Sequence, residues 1–166
     1  MMWRFLVADD LSVDRFIIRD TDSRLTQRDA SAVYDWVKSG EAFHCVRDHP
    51  SHASYAVSGG LWGGNPQLLR NYLRKTWREM MAGSRPDYLE DMNFLNNVVW
   101  PKLMYHAYCS DSVSCKSFPS SYPFSQRRHG YEHVGQVVSE QELGRPIDIN
   151  ILKQAGENPE CLPPGL

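Results

Sequence analysis

Apolar positions change their spacing several times along this chain, and each change predicts an element. Val13-Asp14-Arg15-Phe16-Ile17-Ile18 is short, β-branched and apolar at its end, which predicts a strand. Thr26 to Lys38 switches to helical spacing, with Ala30, Val33, Trp36 and Val37 on the apolar face. Thr26 is placed as N-cap with Asp29 three residues on, and Gly40 follows as a stop signal. Ala42-Phe43-His44-Cys45-Val46 predicts the next strand, ending at Arg47-Asp48-His49-Pro50. Strand, helix and strand in this order predict an α/β fold, a mixed sheet with flanking helices.

Tyr55-Ala56-Val57 reads as a further short strand before the glycine-rich loop Gly59-Gly60-Leu61-Trp62-Gly63-Gly64, whose glycines permit close backbone approach. Asn65-Pro66 opens a helix reaching Met81, with an apolar stripe from Leu68 to Met81 and Gly83 as its close. A second helix is expected from Pro86 to Trp100, interrupted or ended by Pro101. Ser110 to Phe124 lacks regular spacing, Glu132 to Val138 reads as one more strand, and residues 151–166 read as a loose tail behind a domain over 1–150.

A chain of 166 residues can bury a real core in one domain, and a formal net charge of −2 argues against nucleic acid as partner. No apolar run approaches the roughly 18 residues of a membrane span. Met1 to Asp10 is too short and too soon acidic for a signal peptide, which suits a cytosolic chain or, if the N-terminus is missing, the secretory pathway. None of Cys45, Cys109, Cys115 and Cys161 forms a Cys-x-x-Cys pair. Cys109 and Cys115 are close enough to bridge a loop; otherwise they are free thiols.

The candidate chemistry begins at Arg19-Asp20-Thr21-Asp22-Ser23-Arg24. In extended backbone Asp20 and Asp22 point to one face and can aim at a divalent cation that also holds a diphosphate, with Arg19 and Arg24 offsetting phosphate charge. A solvated turn is the other reading of the same residues. Among Asp87, Glu90 and Asp91, Asp91 borders the apolar face of its helix, where a carboxylate can act as base on a hydroxyl acceptor. His44, His49 and His52 read as a metal-like group or as polar residues at a strand end facing a cleft, and Arg127, Arg128, His129 and His133 as a late cationic group suited to phosphate or as a surface basic patch.

Trp3-Arg4-Phe5, Arg19 to Leu25, Phe43-His44, Arg47-Asp48-His49, Gly59 to Gly63, Asp91-Met92-Asn93-Phe94-Leu95, Pro123-Phe124, Arg127 and Val134-Gly135-Gln136 together resemble a family of largely uncharacterised glycosyltransferase-like proteins. The resemblance runs from Trp3 to about Val138. It implies an A-type glycosyltransferase fold, a nucleotide-diphospho-sugar donor, a carbohydrate or other hydroxyl acceptor, and Mn2+ or Mg2+. Carried over by position, Asp20 and Asp22 bind the metal, Asp91 is the catalytic base, the Gly59 to Gly63 loop borders the acceptor, and Trp62 is a sugar platform. Arg19, Arg24 and Arg127 would hold the donor.

The chain departs from the family at Met92, where glutamine is usual, and at His133, where phenylalanine is usual. Its Asp-x-Asp also comes early, so the expectation is the C-terminal portion of such a fold. The nucleotide-binding half would be absent and a partner would cover the edge left open. A catalytically dead remnant serving as a binding module is the alternative, and a histidine-based metal hydrolase is a third reading.

Overall fold

The computed structural model describes residues 2–84, 87–141 and 143–162. One mixed sheet holds β1 (Phe16–Arg19), β2 (Phe43–Arg47), β3 (Leu61–Gly64), β4 (Ala107–Asp111) and β5 (Ser121–Tyr122) in the order β1-β3-β2-β4-β5. β3 is antiparallel to β1 and β2, and β4 is parallel to both β2 and β5. The chain is thus α/β, with a mixed sheet and flanking helices.

Side chains alternate across the sheet with period two, and the two faces bury different sets. Phe16, Ile18, Phe43, Cys45, Trp62, Ala107 and Cys109 belong to the larger apolar cluster, with Phe5, Trp77 and Phe94 against them. Val46 and Leu61 join Ala32, Phe124 and Val134 in a smaller cluster.

α1 (Gln27–Ser39) starts at Thr26, whose side chain accepts from the Asp29 amide, and stops at Gly40 with φ of 75°. Its buried face is rotated from the expected one: Arg28, Asp29, Ala32 and Trp36 are buried, while Ala30 and Val37 are exposed. Two charged residues can be buried there because each has a partner, Asp48 for Arg28 and Arg19 for Asp29.

The helix expected from Pro66 to Met81 is two, α2 (Pro66–Leu73) and α3 (Trp77–Met81), parted at Arg74 with φ of 57°. A Thr76–Glu79 capping box starts α3, and Asp9 accepts from the Trp77 and Arg78 amides. The next helix passes through Pro101 instead of ending there, as α4 (Glu90–Phe94), a π-helical turn (Leu95–Val99) and α5 (Trp100–Leu103). The missing proline N–H removes one helical bond, and the wider turn just before it absorbs the misfit. The expected start, Pro86, lies outside the described residues.

Tyr55 to Val57 is not a strand; the glycine-rich stretch behind it is. β4 lies where regular spacing fades, because a central strand buried on both faces shows no alternation. Glu132 to Val138 makes only single bridges, Val137 to Ser23 and Val138 to Gly144. The expected loose tail is not loose through residue 162: α6 (Pro146–Ala155) crosses the 150/151 boundary, and buried Cys161 bridges to Cys115. Cys45 pairs with Cys109 across β2 and β4. The four cysteines therefore form neither a Cys109–Cys115 bridge nor free thiols, and such bonds persist in oxidising compartments.

His44 is fully buried on β2, stacked on Trp36 with centroids 5.1 Å apart. Burial, then the Arg19 charge, pushes its pKa from 6.5 down to about 3. The unfolded chain takes up this proton as pH falls below about 6.5 and the folded chain does not, so stability is lost between those values. Unfolding free energies from urea titrations at pH 7 and pH 5 should differ by about 2 kcal/mol from His44 alone, and His44→Phe should remove that share of the dependence.

Candidate functional site

A cleft of about 870 Å³ opens where four segments meet: the N-terminal 3-10 segment (Met2–Asp9), the turn after β1, the approach to β3 and the start of α4. Asp20 enters it from the turn. The Ser23 amide and hydroxyl both donate to the Asp20 carbonyl, at 3.2 and 2.8 Å. Asp20-Thr21-Asp22 is therefore a turn and not extended backbone, so the rule that i and i+2 share a face does not apply. Asp22 is exposed, and its carbonyl accepts from the Val138 amide.

Asp91 reaches the same cleft from α4 and is buried. Arg4 joins the two carboxylates, with Nη1 2.7 Å from Asp20 Oδ1 and Nη2 3.0 Å from Asp91 Oδ2. Glycine lets the backbone approach both carboxylates where they now stand. A Cβ on Gly60 would lie 2.1 Å from Asp20 Oδ2, and one on Gly59 would lie 2.7 Å from Asp91 Oδ2. The close approach read from these glycines is thus to the chain's own carboxylates.

Asp87 and Glu90 also line the cleft, so among the described lining residues four carboxylates accompany the guanidinium of Arg4. The site suits a cation, and a phosphate only when a cation comes with it. Trp3, 79% exposed, and Tyr88 stand among the lining residues with their rings toward solvent. Sequence reasoning assigned no role to Arg4, Trp3 or Tyr88; the only signal was their place in the motif Trp3-Arg4-Phe5 and beside Asp91.

The other expected site residues lie elsewhere. Arg19 is bound through two nitrogens to Asp29, at 3.0 and 2.7 Å, and donates to the Ile18 and Trp62 carbonyls; its guanidinium is spent on the fold. Trp62 is 0% exposed and packs among Phe5, Phe43 and Trp77, so it is a core residue and not a sugar platform. Arg24 is exposed, donates to the Ser23 carbonyl at 3.2 Å, and does not line the cleft. Arg127 lines a second cavity of about 750 Å³ with Arg28, Arg128 and Lys153.

The Arg47-Asp48-His49 motif lies inside the protein. Arg47 pairs with Asp111 at 2.7 Å, both fully buried. Asp48 takes Arg28 through two nitrogens, Arg128, the Ser112 hydroxyl and the Val134 amide. Burial raises the Asp48 pKa, but the Arg28 hydrogen bonds and the Arg28 and Arg128 charges outweigh it and hold the carboxyl below its usual value. His44 stands apart from His49 and His52, and His133 takes the third place beside them.

No family model matches this chain, and no curated protein or solved structure matches it.

Proposed function

We propose that the acidic cleft binds a nucleotide-diphospho-sugar together with Mn2+ or Mg2+ and transfers the sugar to a hydroxyl acceptor. The observation behind this reading is the meeting of Asp20 and Asp91 in one cleft, against two glycines and bridged by Arg4. Asp20, with its side chain 57% exposed, offers hard oxygen to a cation, whereas Asp22, the other expected metal ligand, is exposed and does not line the cleft. The cation would supply Lewis-acid stabilisation of the leaving diphosphate. Asp91 takes the proton of the acceptor hydroxyl. Arg4 moves from the carboxylates to the diphosphate, a geometry guanidinium groups favour. Trp3 and Tyr88 take the stacking role that Trp62 is too buried to fill.

The second reading is a binding module without catalysis. Arg4 favours it, because a guanidinium shared by Asp20 and Asp91 offsets half the charge of the pair from within the chain.

Calorimetry with Mn2+ and uridine or guanosine diphosphate separates the two. Nucleotide binding should require Mn2+ and weaken at least tenfold in Asp20→Ala. Asp91→Asn should keep that binding and lower sugar transfer by about 10²–10⁴-fold. Absence of binding at millimolar nucleotide would leave the binding module.

A further inference from the structure

We propose that His49, His52 and His133 form a binding site for a transition-metal ion of the zinc class, separate from the carboxylate cleft. One ring nitrogen of each lies within 4.8 Å of the others. The rings come from two segments far apart in sequence: His49 and His52 around the 3-10 turn Pro50–Ser54, and His133 from the loop before α6. His49 and His133 are buried, while His52 lines the cleft. The group thus has two walled ligands and one at an entrance.

His133 and His52 each have a backbone partner on one nitrogen, and His49 has one on both, its Nδ1 accepting from the Ser51 amide at 3.2 Å. His49 Nε2 faces the Asp148 carbonyl at 3.1 Å, His133 Nδ1 faces the Tyr131 carbonyl at 3.5 Å, and His52 Nδ1 accepts from the Asp48 amide at 3.4 Å. A carbonyl facing one nitrogen fixes the proton there and leaves the lone pair on the other, which is how outer partners orient a ligating imidazole. Binding would exchange three present contacts: the Ser51 hydroxyl and the Ser51 amide on His49 Nδ1, at 2.7 and 3.2 Å, and the long amide contact of His52.

Three imidazoles without a carboxylate among them select Zn2+, Co2+, Ni2+ or Cu2+ over Mg2+ and Mn2+. Zinc–nitrogen bonds of about 2.0–2.1 Å place tetrahedral ligands about 3.4 Å apart, so rings at the outer limit close by ~1.4 Å, and His49 and His133, now stacked with centroids 4.6 Å apart, turn out of that stack to do so. Three protein ligands leave a fourth position open, and His52 places it toward the cleft.

The test loads the whole chain with Zn2+ or Co2+ and reads metal per chain by elemental analysis and the visible Co2+ spectrum. One ion per chain below 10 µM, on the order of the affinities expected of a three-nitrogen zinc site, supports the site. So do a tetrahedral Co2+ spectrum and a loss of at least tenfold in both His52→Ala and His133→Phe. Asp20→Asn should leave the binding unchanged. His52 is the safer variant because it lines the cleft, and a rise in melting temperature of the wild-type chain with Zn2+ needs no variant at all. Saturation failing at 100 µM Zn2+, or binding that survives both histidine substitutions, overturns the proposal. The site stands independently of glycosyl transfer, since the nucleotide test uses Mn2+ and reads Asp20.

Discussion

Asp48→Ala should leave the chain largely unfolded at 25 °C. The carboxylate is 0% exposed and receives five hydrogen bonds, three from guanidinium nitrogens of Arg28 and Arg128. Removing it strands two cations and the Val134 amide inside the protein. Breaking one buried ion pair in this way costs about 3–5 kcal/mol. A domain of this size is stable by only about 5–15 kcal/mol. Arg28 also holds Phe124 under its guanidinium at 3.7 Å, so the loss spreads to the packing behind α1. Asp48→Asn keeps the shape but not the charge and should cost nearly as much. Asp20→Ala breaks a largely exposed pair and should cost about 0–1 kcal/mol. Urea midpoints of the three variants check this ranking. A midpoint for Asp48→Ala within 1 kcal/mol of wild type, about the cost of an exposed pair, would mean that the cations have other partners.

Reduction of the two disulfides should have an effect of the same order. Cys45–Cys109 closes a separation of 64 residues and Cys115–Cys161 one of 46. Chain-entropy arguments give about 4 kcal/mol for each loop, within a usual range of about 2–5. The two should differ in kind. Cys45→Ala with Cys109→Ala removes a link between central strands and should lower the global midpoint. Cys115→Ala with Cys161→Ala should chiefly free the segment after α6, seen as early proteolysis and fast amide exchange there. Peptide mapping without reductant should recover both pairs. Recovery of a Cys109–Cys115 peptide instead would contradict the paired register of β2 and β4.

Much of the fold is legible in the sequence where one local rule acts alone. α1 follows from its spacing, its Thr26 cap and Gly40, and β1 and β2 from short apolar runs. β3 and β4 are not legible. β3 is rich in glycine because other parts of the chain press on it, and β4 is a buried strand with cysteine, serine and aspartate in it. The capping box of α3 is present in Thr76 and Glu79, yet the continuous apolar stripe of Leu68 to Met81 conceals the break before it.

In the candidate site, Asp20, Asp91 and the glycines are recognisable by type, and they do share a cleft. Arg19, Trp62 and Arg127 have the right chemistry in the wrong place. A guanidinium or an indole reads the same in sequence whether it faces solvent or packs inside; only its partners decide. Asp29 claims Arg19, the aromatic core claims Trp62, and Arg127 falls on another cavity.

By itself, then, the sequence determines the fold class, the helix over Thr26 to Lys38, the two strands beside it and the candidacy of Asp20 and Asp91, because periodicity, caps and side-chain chemistry are local properties. The tertiary structure alone decides which charges are free. It pairs Arg4 with Asp20 and Asp91, buries Arg47 and Asp48 in ion pairs, joins His133 to His49 and His52, and chooses the cysteine partners. Each of these is a contact between residues far apart in the chain, and for the ion pairs the cost of burying an unpaired charge, not any local preference, selects them.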